Sequence, residues 1–112
     1  MYEYEHHDKA LISVVWEHAR AMPEFDPDQW RQDPCGAWIR RDQYMQRSSE
    51  FAWRILDIVA DHPGEPDTLR AFHVGNTFNV GHGRPVCRVR ADQKGFAGRG
   101  TRTSPRNVAV GD

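Results

Sequence analysis

The sequence predicts an α+β fold, and three observations carry that reading. An amphipathic helical segment stands near the start, an aromatic-rich stretch with strand alternation stands in the middle, and apolar periodicity fades into a Gly/Arg-rich end. With 112 residues, 38% of them hydrophobic, four Trp and five Phe, the chain suits a single modest core rather than disorder.

The first element is a helix over 8–22, "DKALISVVWEHARAM", capped by Asp8 and limited by Pro23. Leu11, Val14, Val15 and His18 fall on one face at three- and four-residue spacing, which makes that the packing face. The proline-rich "PEFDPDQWRQDPCG" reads as a loop with a short turn around Asp28 to Arg31, anchored by Phe25 and Trp30. Next, "AWIRRDQYM" (37–45) reads as a strand, a turn at Asp42-Gln43 and the start of a return, and "EFAWRILDIVA" (50–60) as an alternating strand; together they suggest an antiparallel hairpin. In the second, Phe51, Trp53 and Ile55 alternate with Ala52, Arg54 and Leu56. The stretch 67–79, "DTLRAFHVGNTFN", fits a short helix capped by Asp67, with Gly75 against it. Beyond Gly81, "VCRVR" suits an edge strand and the remainder a flexible basic tail.

Charge divides along the same line. Residues 84–112 hold seven basic and two acidic groups, a net of +5, whereas residues 1–83 hold eight basic and fourteen acidic, a net of −6. The expected organisation is therefore a domain over 1–83 and a basic extension over 84–112, whose opposite charges suit different partners. The run "LISVVW" is too short to cross a bilayer and follows no basic leader, so a cytoplasmic protein without membrane association is expected. Cys35 and Cys87 have no CxxC spacing and read as free thiols.

Several elements recur in an order that resembles the HNH endonuclease family. These are "DPCGAWI" at 33–39, Tyr44, "SEFAWRILDI" at 49–58, "GEPDTL" at 64–69 and "TFNVGHG" at 77–83. The resemblance runs from about Asp33 to Gly83 and implies a ββα-metal fold. It also implies the family's chemistry: a histidine that deprotonates water beside a divalent metal, which polarises the scissile phosphate. Carried across residue by residue, the Asp-His pair becomes Leu56-Asp57 and the middle Asn falls at Ala71. Asn79 matches the helix ligand with a one-residue gap. Leucine cannot bind a metal and alanine cannot tie down a loop, so the resemblance implies a degenerate member with no catalytic residue, no cofactor and no metal site. Asp57 and Asn79 are then vestigial positions.

The six histidines are scattered without H-x₃-H or Cys support, which reads as structural rather than zinc-binding. "GNTFNVGHGRP" lacks the Lys-Ser/Thr of a phosphate loop and reads as a turn-rich connection. Arg40, Arg41, Arg47 and Arg54 near the expected hairpin, with Arg84, Arg88 and Arg90, are the expected partner-binding residues. The partner expected from the resemblance is a protein or nucleoprotein complex, with nucleic acid reached through arginine. Its most specific form is a phage-encoded inhibitor of a host defence complex, similar to anti-CRISPR proteins. The acidic loop of Glu24, Asp26, Asp28 and Asp33 would repel DNA and attract a basic protein surface. Two alternatives remain: a divergent endonuclease holding Mg²⁺ on Asp57 and Asn79 with His62, His73 or His82 as base, and a DNA-binding accessory factor.

Overall fold

Short strands make up most of the regular structure. The computed structural model describes residues 3–4, 9–59, 66–92 and 105–110. Among these, one α-helix, α1 (Lys9–His18), packs against short antiparallel strands. The central sheet is ordered β1 (Glu3–Tyr4), β5 (Trp53–Asp57), β6 (Leu69–His73), and a second is ordered β2 (Arg20–Ala21), β3 (Trp30–Gln32), β4 (Trp38–Arg40). Two ribbons complete it: β7 (Thr77–Asn79) with β8 (Arg84–Val86), and β9 (Val89–Ala91) with β10 (Asn107–Ala109). The mixed α and β composition is as the sequence predicts.

Helix α1 stops at His18, four residues short of the expected end, because the chain turns at once into β2. Its last carbonyls are taken by a side chain from β3: Arg31 Nη1 donates to Glu17 O and Ala19 O, and its guanidinium lies 5.8 Å from the Trp16 ring. A cation holding the C-terminal carbonyls offsets the helix dipole where the ladder runs out. The packing face is rotated from the expected one. Val15 and Trp16 are fully buried, with Leu11, Ile12 and Ala19 beside them, whereas Val14 and His18 are exposed. Trp16 pulls the helix round, since its ring meets Trp53 at 5.3 Å.

The expected hairpin between 37–45 and 50–60 does not form. Strand β4 pairs with β3, and β5 pairs with β6 over five residues, Trp53 opposite His73 through Asp57 opposite Leu69. Alternation marks a segment as strand but carries no information about its partner. The two stretches still touch without a ladder: Arg40 N donates to Phe51 O, Met45 N to Trp53 O and Trp53 Nε1 to Arg41 O, and Tyr44 makes an isolated parallel bridge with Trp53.

The expected helix over 67–79 is replaced by a 3₁₀ turn at Pro66–Thr68 followed by β6 and β7. Leu69 and Ala71 join the core beneath α1 while Phe72 is buried on the opposite face, so five-residue pairing with β5 overrides the local helix signal. Trp53, Ile55, Leu69 and Ala71 meet Val15, Trp16 and Ile39 in the core. The 26 residues from 84 to 109 are not a free tail at either end: β8 and β9 open them and β10 closes them onto β9, with Ala91 and Pro105 buried. Position 83/84 falls inside the β7–β8 hairpin, where Gly83 adopts φ +68° and its N–H bonds Asn79 O.

Cys35 and Cys87 are not free thiols. They form a disulfide with Cα atoms 5.5 Å apart, joining the loop after β3 to the turn before β9. A separation of 52 residues leaves no local signature, so only the packing of β9 against the Gly36 loop reveals the pair. There Ala91 N donates to Gly36 O, and Gly36 holds φ +82°. No helix among the described residues is long and apolar enough to cross a membrane.

Candidate binding surface

The positions matching a metal site are occupied by structural groups. Asp57 is buried and its carboxylate accepts the Val59 N–H, fixing the end of β5. Ala71 lies in the core on β6. Asn79 serves the β7–β8 turn, its Oδ1 accepting His82 N and its amide 3.1 Å from His82 Nδ1. Among the described residues, no three His, Cys, Asp or Glu side chains gather where they could hold a metal ion. His73 is buried in the frame: its Nδ1 accepts Gly75 N, so Nε2 carries the proton and donates to Glu50 O at 2.7 Å. His6, His7 and His62 lie outside the described residues.

The frame around it is a buried polar network that sequence reading missed. Asp33, grouped by sequence with an acidic surface loop, is 2% exposed. It accepts four hydrogen bonds, from Cys35 N, Ala37 N, His73 N and Asn76 Nδ2. Burial pushes its carboxyl above the ordinary value of 3.8, against the pull of those four donors. Asn76 then acts as a one-residue strand. Its Oδ1 accepts Arg88 N and Val89 N and its Nδ2 donates to Val89 O, closing the edge of β9. Asn107 does the same for β4, with Oδ1 accepting Trp38 N and Nδ2 donating to Trp38 O and Glu50 O. Both asparagines satisfy backbone groups that would otherwise be buried without partners.

The expected partner-binding arginines do not form one patch. Arg40 stacks 5.4 Å from the Trp30 ring and pairs with Asp42 at 3.3 Å, while Arg41 donates to Ser13 Oγ. Arg47 is exposed on the loop before β5. Arg54 is half-buried and donates to Asn76 O at 2.7 Å, so it supports the network. Arg84 is exposed on β8.

Arg88 and Arg90 belong to a different arrangement. In the β9–β10 register Arg90 lies opposite Val108, and the next pairs outward are Arg88 with Val110 and Asp92 with Arg106. Val89 and Ala91 turn the other way, toward Gly75 and the core. The outer face of the ribbon therefore carries Arg88, Arg90 and Arg106, with Asp92 at one end, beside Val108 and Val110. Arg106 is paired with Glu50 at 3.2 Å, whereas Arg88 and Arg90 make no ion pair among the described residues. Two fixed strands thus present cations next to exposed apolar carbon. Arg106 could not be assigned from sequence because its strand lies beyond a Gly-rich stretch that reads as tail.

Among known proteins, no family model, curated protein or solved structure matches this chain.

Proposed function

We propose that this chain is a non-catalytic binding protein, and that the outer face of the β9–β10 ribbon meets the phosphate backbone of a nucleoprotein complex. One observation carries the reading: Arg88 and Arg90 project from a strand whose inner edge is clamped by Asn76 and whose turn is tied by the Cys35–Cys87 bond. Guanidinium groups held by a rigid scaffold lose little freedom on engaging phosphate, which favours them over cations on a mobile segment. The order of motifs supports the narrower form, a retired HNH scaffold acting like an anti-CRISPR inhibitor of a nucleic-acid-targeting defence complex. A strand at β6 where that family has its helix counts against it, as does the disulfide, which suits an oxidising compartment better than a cytoplasm.

The test is fluorescence anisotropy with labelled duplex DNA across a salt series. Salt-sensitive binding is expected, and the Arg88→Gln/Arg90→Gln variant should flatten the slope of log affinity against log salt by roughly two, at about 0.9 for each phosphate no longer neutralised. Binding that the double variant leaves unchanged would remove the ribbon from the reading. The endonuclease alternative rests on Asp57. Mg²⁺-dependent plasmid nicking that Asp57→Asn abolishes in a folded variant would replace the proposal.

A further inference from the structure

A second basic site lies away from the ribbon, where α1 ends between the two three-stranded sheets. A cleft of about 240 Å³ is lined there by His18, Arg20, Gln32, Asp33, Arg70 and Ala71, with Ala19 and Pro34 completing the wall. His18 and Arg70 also line an adjoining recess with Asp67 at its rim.

The donors converge for separable reasons. Arg20 and Gln32 are directly opposite in the β2–β3 register, so their side chains leave the same face of that sheet. Arg70 is held at the cleft by its own strand, its Nη1 donating to Asp67 O and Leu69 O, which leaves Nε and Nη2 to face outward. In the β5–β6 ladder, Ile58 N bonds Thr68 O and Val74 N bonds Ala52 O. That phase turns the N–H and C=O groups of Leu69, Ala71 and His73 away from β5. His73 N accordingly reaches Asp33, and the Ala71 N–H points to the cleft that Ala71 lines.

Gln32 adds a neutral donor to the wall: the residue is only 7% exposed overall, and its side-chain amide is open to the cleft rather than sealed in the core. The charges favour an anion. Arg20 and Arg70 have no carboxylate partner among the described residues, and His18 adds a third basic group. Of the opposing acids, Asp33 already has four donors on its carboxylate, and Asp67 and Glu17 are exposed outside the cleft.

We infer that this cleft binds a phosphate-sized oxyanion through Arg20, Arg70, the Gln32 amide and the Ala71 N–H. The volume admits one such group with room for water or an attached residue, and the shared chemistry fits free phosphate or a terminal phosphomonoester. The site uses none of the ribbon arginines, so it stands or falls separately from the function proposed above.

Titration of the full chain with inorganic phosphate, followed by ¹H–¹⁵N NMR, tests it. Saturable shifts are expected at the Gln32 side-chain amide and the Ala71 backbone amide. Arg70→Gln should weaken binding by about ten- to a hundredfold, the worth of a charge-assisted hydrogen bond. Arg20→Gln should weaken it as well, and because Arg20 is exposed that variant keeps the test open if Arg70→Gln fails to fold. Arg88→Gln/Arg90→Gln should leave phosphate binding intact. Tighter binding of a 5′-phosphorylated dinucleotide than of phosphate assigns the terminal group as ligand, and equal or weaker binding assigns free phosphate. Shifts that fail to saturate, that persist in Arg20→Gln, or that vanish in the ribbon variant would overturn the inference.

Discussion

The two halves of this molecule are held by different forces. Around α1, β5 and β6, stability comes from apolar surface: Trp16, Trp53, Ile55 and Leu69 interlock with almost no exposure. Around β9 and β10 little apolar surface is buried. There a disulfide, a buried carboxylate and two asparagines hold the strands in register. The first half tolerates approximate shape, because dispersion and burial are non-directional. The second depends on donor and acceptor positions, so a substitution of equal volume can be as damaging as a deletion.

Replacement at Asn76 breaks this contrast most sharply. Asn76→Leu keeps the branched outline and heavy-atom count but strands Arg88 N, Val89 N and Val89 O. At about 1–3 kcal/mol per orphaned group, a loss of about 4–6 kcal/mol is expected by urea unfolding. The conservative change Ile55→Val in the apolar half should cost only about 1 kcal/mol. Equal losses at the two sites would erase the distinction. Next in size is the Cys35–Cys87 bond, whose 52-residue span predicts about 2–4 kcal/mol of stabilisation. Reduction should lower the urea midpoint and loosen β9 first, seen as faster amide exchange at Val89 and Ala91 than at Ile55 and Leu56. Uniform acceleration would mean that the bond supports both halves alike.

The smallest effect is that of pH on Asp33. A carboxyl raised above 3.8 binds its proton more readily in the native chain than in the unfolded one. Its contribution to stability is therefore greatest below that value and falls as pH rises through the raised one. The stability gap between the native chain and Asp33→Asn should shrink as pH increases from about 4. A widening gap would show that the four donors outweigh burial.

The apolar half was largely legible in the sequence. Leu11 and Val15 mark the helix, alternation marks β5, and Phe25 and Trp30 pack inward as anchors, the first 4.8 Å from Trp38 and the second 4.8 Å from Phe51, although Trp30 does so from strand β3 rather than from the expected loop. What escaped was partnership, since strand pairing and the disulfide are long-range and leave no local pattern. Residues 67–79 misled because Asp67 and the spacing of Leu69, Phe72 and His73 fit a helix until β5 supplies a strand beside them. The candidate surfaces escaped for a related reason. Asn76 and Asn107 look like ordinary turn residues, and Arg20, Gln32 and Arg70 are 50 positions apart in the chain at their extremes, joined only by the meeting of two sheets.

The clamp between Asn107 and Trp38 bridges 69 positions of chain. During synthesis the chain emerges from its N-terminal end, so α1 and the β5–β6 pair can condense while β4 still waits for the amide that closes its edge. The core of the half that sequence patterning describes well lies between Val15 and Ala71. The half that carries the ribbon is completed only once Asn107 has left the ribosome, so assembly of this small protein finishes at the surface proposed to meet its partner.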